Sequence, residues 1–217
     1  MLASTLKITN TVGGVDLSSQ SNKVVNLGTS TVAGDLKLSN VGAGIGLTGD
    51  LNATGAASLS SSSGSITLGS ATVTATDFSL KGSSLDFGTS KLGAVTGALS
   101  VAPNSASTDI NLGGGTGFNL GSTDITALKG SGASSIVIGE SGATGKLTIA
   151  GASDFGTKNL TLNGGSITDG GTTRLITAKN LTLNANTAST GDIGSSAANG
   201  AIDIAVTSVS ANTKGGS

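Results

Sequence analysis

The six residues Lys158-Asn159-Leu160-Thr161-Leu162-Asn163 return unchanged 21 positions later as Lys179-Asn180-Leu181-Thr182-Leu183-Asn184. A further step of 21 lands on Ile202-Asp203-Ile204, again apolar, polar, apolar. Alternate residues of a strand face opposite ways, so Leu160 and Leu162 point to one side and Thr161 to the other. So short a strand cannot bury its apolar side alone; it needs the same triplet of the next winding beside it, about 4.8 Å away. A strand-helix-strand crossover needs roughly 30 residues. A period near 20 therefore leaves a coil made of strands, with like residues stacked: Leu on Leu inside, and Asn163 near Asn184 in an amide ladder at a corner.

Composition supports this reading. Leu, Ile, Val and Phe make up 52 of 217 residues, enough for a core, and the net charge is only -1, so disorder is disfavoured. No window keeps large apolar residues at helical spacing, and Gly, Ser, Thr and Asn interrupt nearly every stretch; the pattern is all-β. Dispersed Lys and the scarcity of aromatic residues argue against nucleic acid as a partner. No apolar run is long enough to span a membrane. Met1-Leu2-Ala3-Ser4 lacks the charged start and apolar core of a signal peptide, so the chain reads as cytosolic or as a piece of something larger; the absence of Cys fits both.

Residues 1–24 carry apolar positions at Leu6, Ile8, Val12, Val15 and Leu17, and read as an irregular first coil or a worn copy lacking its neighbour. From residue 25 the phrase becomes apolar, polar, apolar, Gly. It appears as Val25-Asn26-Leu27-Gly28, Ile66-Thr67-Leu68-Gly69, Leu85-Asp86-Phe87-Gly88, Ile110-Asn111-Leu112-Gly113, Phe118-Asn119-Leu120-Gly121 and Ile136-Val137-Ile138-Gly139. Gly is expected at such corners, where positive φ or close backbone approach excludes other residues. Val32, Val73, Leu92 and Ile125 follow five residues later as inward contacts, and Leu36/Leu38, Phe78/Leu80, Leu99/Val101 and Leu147/Ile149 form further triplets. Taking Leu27, Leu47, Leu68, Phe87, Leu112, Ile138, Leu162, Leu183 and Ile204 as equivalent gives about nine coils in one β-helix segment, 1–217, with extra residues bulging at Ala102–Thr108 and Gly113–Gly117. Lys214-Gly215-Gly216-Ser217 reads as a loop end.

Site chemistry is sparse. Ten of the eleven Asp stand directly before a large apolar residue, which fits outward turn entries bonded to backbone N–H groups better than calcium binding or acid-base work. Arg174 is the lone Arg and there is no His. Phe78, Phe87, Phe118 and Phe155 sit in or beside triplets and are expected to fill the core. No catalytic, cofactor-binding or metal-ligating residue is nominated. The tripeptides at Asn52, Asn159 and Asn180 match the N-glycosylation pattern, as chance allows in a chain rich in Asn, Ser and Thr. Thr rows on a flat face could bind ice, but the polar positions mix Asn, Thr, Asp, Ser and Lys, which argues against a regular lattice.

The phrases Leu181-Thr182-Leu183-Asn184, Gly191-Asp192-Ile193-Gly194-Ser195 and Ile202-Asp203-Ile204-Ala205-Val206, with Val25-Asn26-Leu27-Gly28-Thr29, resemble the repeat shafts of filamentous-haemagglutinin-type exoproteins over most of residues 25–210. The resemblance implies a right-handed parallel β-helix secreted by Gram-negative bacteria through an outer-membrane partner and placed outside the cell or on its surface. It implies an adhesin shaft, toxin stalk or extracellular fibre; with site chemistry this sparse, an enzyme is not expected. Neither a signal peptide nor that family's secretion domain is present, so the chain reads as an interior shaft segment. Copies are expected to associate end to end, and a sugar or host-surface ligand is open. The alternative is a β-helix that binds or cleaves carbohydrate, with Asp35 and Asp77 as the carboxylates to test.

Overall fold

The computed structural model describes residues 1–171, 174–186, 191–195 and 200–214, so the last residues of the expected loop end, 215–217, lie outside it. The chain is an all-β parallel β-solenoid of about nine turns. It contains two compact units, Met1–Asn104 with Gly130–Ser134, and Ser105–Lys129 with Ser135–Ser217.

In the first unit every coil gives one short strand to each of three parallel faces. One face takes Leu2–Leu6, the far half of the long strand Val15–Leu27, Ile45–Leu47, Ile66–Thr67 and Leu85–Asp86. The second takes Thr9–Asn10, Ser30–Val32, Leu51–Ala53, Thr72–Ala75 and Lys91–Val95. The third takes the near half of Val15–Leu27, then Leu36–Asn40, Ala57–Ser61, Phe78–Gly82 and Ala98–Pro103. Leu38, Leu59, Leu80 and Val101 follow one another in register, each at most 1% exposed. Burial of each such side chain contributes about 1.5–3 kcal/mol, which is why three-residue strands suffice once stacked.

Residues 1–24 supply all three faces of a coil, with Leu2 to Leu6 in register with Lys23 to Leu27 and Val15 to Leu17 with Leu36 to Leu38. Val12 departs from expectation, standing exposed in a bend. The expected triplet Val25/Leu27 is also shifted: Val24 is buried and Val25 is exposed. The cause is Asn40, fully buried, whose Nδ2 donates to Val24 O (2.6 Å) and Gly44 O (3.0 Å) while its Oδ1 accepts the Val24 N–H (3.1 Å). Asn40 thus satisfies both backbone groups of Val24 and fixes which valine faces in.

The second unit has the same three-strand coil. One face stacks Phe118–Leu120, Ile110–Leu112, Leu147–Ile149 and Ile167–Asp169, and Ile193 bridges to Ile167. Another stacks Ser153–Asp154, Ile176–Thr177 and Ile204–Ala205. The third stacks Ser135–Ile138, Asn159–Gly164, Asn180–Ala185 and Ser208–Thr213. The repeated phrase pairs letter against letter, Asn159 with Asn180 through Asn163 with Asn184. The expected third copy does not follow: Leu181 pairs with Val209, and Ile202-Asp203-Ile204 leads into the strand that lies beside Ile176–Thr177 on another face. The true third copy is Ser208-Val209-Ser210-Ala211-Asn212, a step of 28 (209 less 181).

The proposed row of equivalent residues is correct only in pieces. Leu27 pairs with Leu47, and the same register carries on through the strands Ile66–Thr67 and Leu85–Asp86, which end just before Leu68 and Phe87. Leu112, however, pairs with Ile149 and Leu120, and Ile138 pairs with Leu162 on a different face. Leu112 and Ile138 therefore belong to different rows, as do Leu183 and Ile204. Three faces built from the same triplet make the period legible and the phase ambiguous.

The glycine reading holds at most corners: Gly69, Gly88, Gly113 and Gly139 have φ of 58°, 52°, 85° and 78°. Gly28 instead lies against Lys7, where a Cβ would come within 3.0 Å of the lysine Cγ. Gly121 precedes a helix, α1, Ser122–Gly130, that breaks the all-strand pattern. Asp124 accepts the Gly121 N–H (2.9 Å), half of a capping box; Lys129 stands in the last turn; Ile125 and Leu128 are buried. Ile125 is thus the inward contact expected, carried on a helix. All four Phe are at most 1% exposed.

Candidate functional site

The acidic side chains act on the backbone in two ways. Asp16, Asp86, Asp154 and Asp169 accept the N–H two residues on, from Ser18 (2.9 Å), Gly88 (2.9 Å), Gly156 (2.8 Å) and Gly171 (2.9 Å). This is the local turn bond expected of Asp. The other group reaches across a whole winding: Asp35 Oδ1 accepts from Ala56 N–H (2.8 Å), Asp50 from Thr72 (2.8 Å), Asp77 from Ala98 (2.6 Å) and Asp109 from Lys146 (2.8 Å). Three of these also offer their carbonyls to the preceding coil, Asp35 to Val15 (2.7 Å), Asp50 to Ser30 (2.8 Å) and Asp77 to Ala57 (2.8 Å). One residue therefore clips three successive coils. A Cβ at Gly55 or Gly97 would collide with the Asp35 or Asp77 carboxylate, so these two clips sit over a glycine in the coil that follows.

Two carboxyls are held below their ordinary range. For Asp16 the causes are the Ser18 hydroxyl (2.5 Å) and the Ser18 N–H, aided by Lys37, which is its register partner. For Asp154 they are the Lys129 ammonium, at 2.5 Å, and the Gly156 N–H. Both carboxylates are at the surface, where such pairs contribute little.

Carboxamides do the corresponding work in the second unit. Asn212 Nδ2 donates to Asn184 Oδ1 (2.9 Å), Asn184 Nδ2 to Asn163 Oδ1 (2.8 Å), and Asn163 Nδ2 to Gly139 O (3.1 Å). A second column joins Ser208 Oγ to Asn180 Oδ1 (2.7 Å) and Asn180 Nδ2 to Asn159 Oδ1 (2.8 Å). The expected contact of Asn163 with Asn184 is one rung of the first column.

Two open grooves lie among the described residues. A groove of about 260 Å³ opens where Gly46 offers no side chain between Asn26 and Thr67, with exposed Val25 as one wall. A second, of about 210 Å³, lies among Gly14, Asp16, Asp35 and Lys37. Arg174 bonds Ala150 O and folds over Gly170 and Gly171. Among the described residues no three acidic side chains gather as a metal site, and no helix is long and apolar enough to cross a membrane.

No family model, curated protein or solved structure matches this chain. What the arrangement can do is therefore read from its own surfaces. On the third face of the first unit the outward row is Asp16, Lys37, Ser58, Ser79 and Ser100, in register. That row mixes charge and hydroxyl, as the sequence suggested. Asp35 and Asp77 stand two coils apart, about 10 Å, with Ala56 between them. The sequence reading missed the across-coil reach of Asp. Its signal is the alternation Gly34-Asp35, Gly55-Ala56, Thr76-Asp77, Gly97-Ala98 at the same corner.

Proposed function

We propose that this chain is a non-enzymatic structural rod, a shaft segment of a bacterial surface or extracellular fibre protein of the filamentous-haemagglutinin type. In this reading it is exported through an outer-membrane partner, meets its sugar or host-surface ligand elsewhere along the fibre, and associates with copies of itself. The observation that carries it is where the reactive side chains are engaged. Asp35, Asp50, Asp77 and Asp109 hold backbone N–H groups of the next coil, and the Asn columns hold one another. A carboxylate acting on substrate as acid, base or nucleophile must instead present its oxygens to the reacting centre, paired with a second carboxyl at a set distance.

A spacer tolerates the loss of one winding, whereas an active site does not. Lys179 N–H bonds Lys158 O (2.8 Å), so excising Asn159–Lys179 joins equivalent points of two coils. The excised chain should fold with β-type circular dichroism, and neither it nor the parent should cleave acidic or neutral polysaccharides. Cleavage by the parent that disappears in Asp35→Ala or Asp77→Ala would replace the shaft by the carbohydrate-cleaving alternative.

A further inference from the structure

The fold separates two of the three Asn-x-Thr tripeptides that composition alone left as chance matches. We propose that Asn52 is an acceptor for an N-linked glycan and that Asn180 is not. Asn52 stands exposed in the strand Leu51–Ala53, between buried Leu51 and Ala53, so its side chain points outward. Its register neighbours are Thr31 in one adjacent coil and Thr74 in the other, both short side chains. No hydrogen bond within the described residues ties that carboxamide, and Thr54, the hydroxyl residue of the tripeptide, is exposed as well.

Asn180 is held inside a column. Asn180 Nδ2, the atom a sugar would have to occupy, donates to Asn159 Oδ1 at 2.8 Å, while Asn180 Oδ1 accepts from Ser208 at 2.7 Å. Its hydroxyl residue, Thr182, is half-buried. Asn159 engages only its Oδ1 in that column and stands exposed, so the fold sets no such bar there. A glycan on Asn180 Nδ2 has to break the bond to Asn159, whereas one at Asn52 breaks no hydrogen bond within the described residues.

The chemistry is a transfer from a nucleotide-activated hexose. Asn52 Nδ2 forms a C–N bond to the anomeric carbon, the bond from that carbon to the diphosphate oxygen breaks, the nucleoside diphosphate leaves, and the amide nitrogen gives up one proton. The proposal is independent of the shaft reading, since it uses only one outward face.

The test uses a sequon-reading N-glycosyltransferase chosen because it modifies all three tripeptides as free synthetic peptides with UDP-glucose. The folded full chain is treated in the same way and its peptides are mapped by mass spectrometry. A hexose on the Asn52 peptide, none on Asn180, and loss of the Asn52 modification in Asn52→Gln support the assignment. A folded chain left bare at Asn52, or modified at Asn180 as readily as at Asn52, overturns it.

Discussion

At the corner entering the third face of the first unit, successive coils read Asp35, Ala56, Asp77, Ala98; toward the leaving end of the third face of the second unit a column reads Asn163, Asn184, Asn212 without a gap. The difference follows from charge. Two carboxylates at strand spacing repel by about 1–4 kcal/mol near a protein surface, so a charged clip works best in alternate coils, each reaching over the alanine coil that separates it from the next. A carboxamide is both donor and acceptor, so it can be repeated indefinitely, each copy satisfying the last. The two units also share one corner letter for letter, Asp86-Phe87-Gly88-Thr89 and Asp154-Phe155-Gly156-Thr157, with buried Phe and Gly at φ of 52° and 59°. Only the surroundings of the glycine differ: a Cβ on Gly88 would lie 2.5 Å from Gly69 O, whereas one on Gly156 would meet the flexible Lys129 Cε at 3.1 Å.

The largest expected effect comes from that shared corner. Gly156→Ala should cost about 1–2 kcal/mol for a left-handed alanine. Gly88→Ala adds a backbone collision and should cost distinctly more, read as a greater drop in urea midpoint. Equal losses would show that the stacked glycine pair does not constrain the first unit. Next comes the neutral ladder. Asn184→Asp keeps the shape but turns an acceptor toward Asn163 Oδ1, and should cost about 1–3 kcal/mol with faster amide exchange in Asn180–Ala185. Asp35→Asn, which keeps its acceptor, should be nearly silent in the same assay; an equally silent Asn184→Asp would deny the ladder any role. The smallest effect sharpens the alternation itself. Ala56→Asp puts carboxylates in three consecutive coils and should lower the melting temperature of the chain at low salt, with recovery as added salt screens the repulsion. A loss insensitive to salt would mean that alanine is there for space alone.

The period, the parallel stacking and the inward set were readable because each coil repeats one demand, two apolar residues flanking a polar one. Phase was not, since all three faces make that same demand: Ile202-Asp203-Ile204 satisfies it as well as Val209-Ser210-Ala211 does, and only the backbone path separates them. The choice of Val24 over Val25 rests on Asn40, sixteen residues away, which no local pattern reveals. Helix α1 carried a readable signal in Ser122, Asp124, Lys129 and Gly130, but nine residues with two buried positions fall below the reach of periodicity. The polar corners were half legible. Asp before an apolar residue announces a turn, yet whether its carboxylate bonds two residues ahead or twenty-one depends on whether the next coil brings an N–H within reach.

The direction of these polar bonds has a temporal meaning. From Asp35 to Ala56, Asp77 to Ala98, Asn163 to Asn184 and Asn184 to Asn212, the side-chain oxygen belongs to the earlier winding and the nitrogen to the later. A polypeptide released amino end first would thus find, at these four rungs, a finished side-chain oxygen already waiting for the next nitrogen to arrive, while backbone rungs such as Val15 N–H to Asp35 O close only when the later coil is laid down.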